Sequence, residues 1–451
     1  MQSNATPDAA TGGGFTLSVG VTPRSVFLQW ALLSREGDRV LADLATHTRI
    51  NTIELSNFDL WWGQTREGAD TSPAPLALPP DADFDGLPVP TTDATRFSAL
   101  ADLIELVHEQ GFQVACNLAP LYVSPGELAR LSCVDVAGER VPAIHPQLAV
   151  YACPNNPEAI AYGRAMARAC VGGWPHLDVL TVNHVEYPFW PQATVGELFV
   201  CFCDWCESKA RRSGIDFAWL RREIRDVYGE LTGLPSGERA DSPRARLVAV
   251  ADRPAVQEWL RFRADSMTAF VRDVMDAARQ AAAVRGAELR TGLEFQLPAL
   301  APFVGTDFEE LSPLFDWLSP KFPDYLGAAV IPLVAAELAG GPLESEVRRT
   351  LREALRLGPG PDVYEPIPEP TEGILYANTY DLSVVRRQRP LLDSLRGRRP
   401  LHPYVWLYGN DLGGLEDKLA AVRSEGFEGF FLWCWDRDLT SESIESLAGV
   451  L

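Results

Sequence analysis

The chain has 451 residues, with 40 Lys and Arg against 61 Asp and Glu, for a net charge of −21 at pH 7. That balance argues against nucleic acid or an anionic membrane as partner, since both are recognised through clustered cations. Hydrophobic residues make up 46% and charged residues 22%, enough for a large core. No apolar run reaches the roughly 18 residues of a membrane helix.

Residues 1–14 (MQSNATPDAATGGG) have neither a basic n-region nor an apolar h-region. They read as a disordered leader, and the expected location is the cytoplasm. In that compartment the eight cysteines are expected to be reduced or metal-bound. From residue 15 onward one pattern recurs: a short β-branched or aromatic run ends in polar residues, then a helical stretch follows. The runs are 15–21, 52–57, 113–118, 179–186, 289–296, 317–321, 404–408 and 429–435, and the helical stretches include 39–48, 96–110, 157–169, 256–285 and 415–424. Strands alternating with helices imply parallel βαβ units. Eight such units predict one (β/α)8 TIM barrel over residues 15–451, where about 150 residues per domain would have suggested three domains. A doubly wound open sheet is the alternative. It calls for a glycine-rich phosphate turn after the first strand, and VGVTPR at 19–24 is not one. Long loops follow strand three (122–154), strand four (188–254) and strand six (325–400). Barrels carry active sites on these loops, so their length predicts a walled cleft.

Cys201-Phe202-Cys203-Asp204-Trp205-Cys206 places three thiols within six residues. That spacing suits a tetrahedral zinc, and Cys153 is the expected fourth ligand, with Cys133 as runner-up. All-protein ligation would make the zinc structural, pinning the loop region around 151–210. The alternative is a set of buried thiols without metal.

The order Tyr151-Ala152-Cys153-Pro154, a helix, a strand ending in Glu186-Tyr187, then the C-x-C-x-x-C cluster resembles the catalytic barrel of the family 42 β-galactosidases. The resemblance is detailed over 151–220. It implies zinc on Cys153, Cys201, Cys203 and Cys206, Glu186 as general acid/base, and a homo-oligomer, a trimer in that family. Two positions depart from the family pattern. Val185 stands where the family has Asn, and 404–411 contains no Glu where the family carries its nucleophile. The resemblance therefore implies a remote glycoside-hydrolase-like relative, not that family's nucleophile.

Strand ends face the cleft of a barrel, which turns position into candidate function. Glycoside hydrolysis needs two carboxyl groups. Glu186 is the candidate acid, beside Tyr187, Phe189 and Trp190. Its expected counterpart is Glu294, on the neighbouring strand and suited to the ~5–5.5 Å of a retaining pair, or Asp436, farther round and suited to the ~6.5–9.5 Å of an inverting pair. Candidate substrate-binding residues are Arg24, Trp30, Glu54, Asn117, Asn183, His184, Tyr187, Lys321, Trp433 and Trp435, with Glu54 also read as partner to a cation. The tryptophans at strand ends (30, 61, 62, 190, 406, 433 and 435) would stack on sugar rings or simply fill the barrel mouth. The sequence thus predicts a glycosidase or transglycosidase acting on a carbohydrate. Its alternatives are a sugar-binding pseudoenzyme, prompted by the missing strand-seven Glu, and a lyase or isomerase using Lys321.

Overall fold

The computed structural model describes residues 16–21, 41–46, 50–56, 78–79, 82–84, 86–87, 94–123, 127–143, 150–189, 194–232, 243–322, 330–339, 343–357, 382–407, 417, 420–427 and 429–434. The expected leader lies outside them. Eight strands form one sheet: β1 (Thr16–Val21), β2 (Thr52–Ser56), β3 (Gln113–Leu118), β4 (Leu177–Val182), β5 (Arg290–Phe295), β6 (Trp317–Pro320), β7 (Tyr404–Leu407) and β8 (Gly429–Cys434). Every pairing in this sheet is parallel, in the order β6-β5-β4-β3-β2-β1-β8-β7. A bridge also links β6 to the residues just before β7. Leu318 forms a parallel bridge to Leu401, its N–H donating to Pro400 O (3.0 Å) while the His402 N–H donates to Leu318 O (2.9 Å).

The helices follow their local signals. Helix α1 (Ala94–Glu109) lies between β2 and β3, and α2 (Pro157–Gly173) between β3 and β4. Asn156 caps α2, its side chain accepting from the Glu158 N–H (3.0 Å), with Pro157 in the first turn. The segment after β4 carries helices of its own, α3 (Asp204–Arg212) and α4 (Phe217–Thr232), before the 32-residue α5 (Pro254–Arg285) leads into β5. Gly286, at φ 69°, terminates α5. Helices α2 and α5 pack closely at Gly163, where a Cβ would stand 2.8 Å from Phe270.

Period-two alternation sorts the strand residues between interior and helix layer. Ala115, Val179, Trp317, Tyr404 and Phe431 form an apolar cluster of their own, separate from the larger core beneath the helices. Gly292 sits against Trp317, where a Cβ would clash at 2.4 Å. Two residues further along the same strands come Asn117, Thr181, Glu294 and Ser319, then Asn183, Gln296 and Lys321, all buried. A polar layer therefore lies above an aromatic floor. One element differs from expectation. Strand four was expected over 179–186, but β4 ends at Val182. The Asn183 N–H still donates to Leu118 O (2.8 Å), then its side chain accepts from the His184 N–H (2.8 Å) and His184 turns left-handed at φ 50°. This local bond competes with the ladder and ends the strand.

Candidate functional site

Glu294, Glu54, Asn117 and Tyr404 meet inside the sheet. The Asn117 amide donates to Glu54 Oε1 (3.2 Å) and to Glu294 Oε1. The Tyr404 hydroxyl lies 2.7 Å from Glu54 Oε1 and also bonds Glu294 Oε1. Lys321 supplies a counter-charge to Glu294, its ammonium 2.8 Å from Oε2. Lys321 also donates to Asn183 Oδ1 (2.6 Å).

The two carboxyls have unlike surroundings. Glu294 has an ammonium, whereas Glu54 has no cation among its described contacts. Burial, then the Glu294 charge, pushes the Glu54 carboxyl up to about 7, with hydrogen bonds from Tyr404, Thr181 and Asn117 pulling the other way. The expected cation beside Glu54 is thus replaced by a second carboxylate, a phenol and an amide. Burial and the same two carboxylates hold the Tyr404 phenol well above its ordinary range. Among the described residues, Asn117 Oδ1 and Ser319 Oγ are buried without a hydrogen-bond partner.

A second group adjoins the first through Asn183. His184 Nδ1 lies 3.0 Å from Glu186 Oε1, and the Gln296 amide donates to the same oxygen (3.4 Å). Glu186 is buried. The His184 ring stacks on Tyr122 at 4.0 Å. Burial, followed by the Lys321 charge, lowers the His184 pKa against the pull of Glu186. Lys321, Asn183, His184 and Glu186 therefore connect the two groups by direct contacts. Tyr187 does not join them. Its ring packs under the Arg263 guanidinium at 4.4 Å and its N–H donates to Val304 O.

The cysteine cluster forms a separate site. The sulfurs of Cys153, Cys201, Cys203 and Cys206 all lie within 4.8 Å of one another, with Cys153 Sγ 3.5 Å from both Cys203 and Cys206. A tetrahedral zinc at 2.3 Å from each sulfur needs edges of about 3.8 Å, so the set fits. Cys203 caps α3 and Cys206 sits in its first turn, which brings the C-x-x-C sulfurs to one side. Two N–H groups point at sulfur: Asn155 Nδ2 to Cys206 (3.2 Å) and the Val134 N–H to Cys201 (3.3 Å). Burial pushes the Cys153 and Cys206 thiols well up. At Cys201 burial works the same way, but hydrogen bonds from the surrounding thiols draw it down. As thiols the four sulfurs can sit together unaided, and only if all were deprotonated would they need a cation between them. Cys133, the runner-up, is a neighbour of Cys201 outside the set of four.

Arg24, Trp30, Trp435 and Asp436 lie outside the described residues, as do Trp61, Trp62 and Trp190. Trp433 and Trp406 are paired in register on β8 and β7. Two site residues escaped the sequence reading. Tyr404 opens its strand, away from the strand end where cleft residues are expected; its inward phase and polar tip were the available signal. Gln296 was in view at the end of strand five without a role.

Eight parallel strands alternating with helices, with a polar cluster at one end of the interior, define a barrel-like α/β class. No protein-family model matches this chain, and neither does any curated protein sequence. Among solved structures it is similar to the PgaB (BpsB) glycoside hydrolase domain from Bordetella bronchiseptica, at TM-score 0.56 and 14% identity over 97% of this chain and 98% of that one. It is also similar to the catalytic domain of a β-amylase from Paenibacillus polymyxa, at TM-score 0.50 and 11% identity over 98% and 99%. At these identities the likeness is one of fold. It is to glycoside-hydrolase folds and does not single out family 42.

Proposed function

We propose that the chain is a glycoside-hydrolase-like enzyme built on a closed (β/α)8 barrel. The bridge from Leu318 in β6 to Leu401, just before β7, supports closure. The observation that carries the functional reading is a pair of buried carboxyls, Glu294 in β5 and Glu186 in the turn after β4, joined through Lys321, Asn183 and His184. Glu294, beside the Lys321 ammonium, acts as the ionised partner: nucleophile toward an anomeric carbon, or base toward water. Glu186, paired with neutral His184, donates a proton to the leaving-group oxygen. Asn117 Oδ1 and Ser319 Oγ, buried and open for a bond, would accept or donate to sugar hydroxyls. Zinc on Cys153, Cys201, Cys203 and Cys206 has no open position and serves structure alone.

The test is release of new reducing ends from a panel of oligosaccharides and aryl glycosides. Glu186→Gln and Glu294→Gln should each lower turnover at least about a hundredfold with the fold intact. Wild-type rates in either variant would remove that residue from the chemistry. Glu54 carries a second reading. With its carboxyl raised to about 7, it could hold the proton in place of Glu186, and then Glu54→Gln would abolish turnover while Glu186→Gln would not. The lyase reading finds little support, because Lys321 is engaged by Glu294 and Asn183. A Schiff-base lysine needs a free amine.

A further inference from the structure

Helix α5 carries a charge that its packing does not explain. Its buried stripe runs Val256, Trp259, Phe262, Arg263, Ser266, Met267, Phe270 and Val274, and Arg263 is 0% exposed within it. The guanidinium stands 4.4 Å from the ring centres of both Tyr187 and Trp259, and 5.1 Å from that of Phe303. Among the described residues, Nε, Nη1 and Nη2 have no hydrogen-bond partner. Burial lowers its pKa only to about 10, so it remains a cation at neutral pH. Aromatic faces recover part of the hydration that a buried ion loses, but they offer no lone-pair acceptor to its N–H groups and no opposite charge.

The groups near this charge that could carry an opposite one are a phenol and sulfurs. Tyr187, Cys133, Cys201 and Cys206 are the groups near enough for their charge, once ionised, to raise its pKa. The same helix face is tied to the cluster one turn later. Ser266 Oγ accepts from Asn155 Nδ2 (3.0 Å), and that amide also donates to Cys206 Sγ (3.2 Å). On the other side, the Trp259 indole donates to Val200 O (3.0 Å), at the residue preceding Cys201. A divalent cation held by four thiolates carries a net charge of −2, buried in the same core. We propose that Arg263 is the built-in counter-cation of the metal-loaded cysteine cluster. The aromatic cage holds the guanidinium in place, and the tetrathiolate supplies the charge that the cage lacks. This rests on the structural-zinc reading above. It adds that metal occupancy and the tolerance of a buried arginine are one coupled property.

The test uses full-length protein and competition for zinc against a chelator of known affinity. Arg263→Met keeps the bulk of the side chain and removes the charge, while Arg263→Lys keeps the charge in altered geometry. Arg263→Met should hold zinc about 10- to 100-fold more weakly, as outer-shell losses do, with Arg263→Lys falling between it and wild type. In the zinc-stripped state the order should invert. Arg263→Met should then melt higher than wild type, since an uncompensated buried charge is gone. Equal zinc affinity in all three proteins, or a lower melting point for zinc-stripped Arg263→Met, overturns the role of Arg263 and leaves the metal site standing. A wild-type chain that takes up no zinc overturns both readings. If Arg263→Met does not fold, equal zinc affinity of Arg263→Lys and wild type, together with insensitivity of wild-type zinc affinity to Trp259→Leu in the cage, refutes the proposal.

Discussion

Glu54→Gln is the most informative single change in the barrel. The Tyr404 hydroxyl has one hydrogen but contacts both Glu54 and Glu294. It can donate to only one of them, so its contact with the other needs a further proton. Lys321 neutralises Glu294, which leaves Glu54 as the carboxyl to carry that proton. Its pKa rises from 4.5 to about 7 on folding. Between those values the folded chain keeps a proton that the unfolded chain has lost. Stability from this group is therefore complete below pH 4.5 and declines as pH rises through about 7. At about 1.4 kcal/mol per unit, the loss amounts to about 3 kcal/mol. Glutamine keeps the shape and does not titrate. Chemical-denaturant unfolding of wild type and Glu54→Gln at several pH values between about 4.5 and 8 measures the difference directly. Wild-type stability relative to the variant should fall by about 3 kcal/mol across that range. A constant difference, or one that grows with pH, would refute the shared-proton argument.

Other expectations follow from the same contacts. Lys321→Met strands a buried Glu294 charge and should cost about 3–5 kcal/mol; the double variant with Glu294→Gln should recover most of it, and a single-variant loss below about 1 kcal/mol would mean the pair is solvated. Elemental analysis of protein purified without chelator should find close to one zinc per chain, and stripping it should lower the melting temperature because the loop around α3 then loses its cross-link. Less than about half an equivalent would argue against a structural metal.

The strand-and-helix alternation, the polar strand ends and the C-x-C-x-x-C spacing were all readable from residue order. They follow from local rules: side chains alternate along a strand, and a turn into a helix gathers cysteines spaced two or three apart. Glu294, Lys321, Asn117 and Asn183 are therefore candidates on residue order alone. Their connections depend on how the sheet curls. Tyr404 begins β7, yet the stagger of the strands carries its hydroxyl to Glu54, 350 positions earlier in the chain. Strand four stopped early because Asn183 found a local bond that hydrophobic pattern does not encode. Arg263 drew no sequence expectation, although it lies on the buried face of α5. Only packing shows which rings enclose it, and which cysteines lie beyond them. Residue order thus determined which groups face inward. Tertiary structure decided which of them share a proton or a charge, because those energies depend on separations of a few ångströms between residues far apart in the chain.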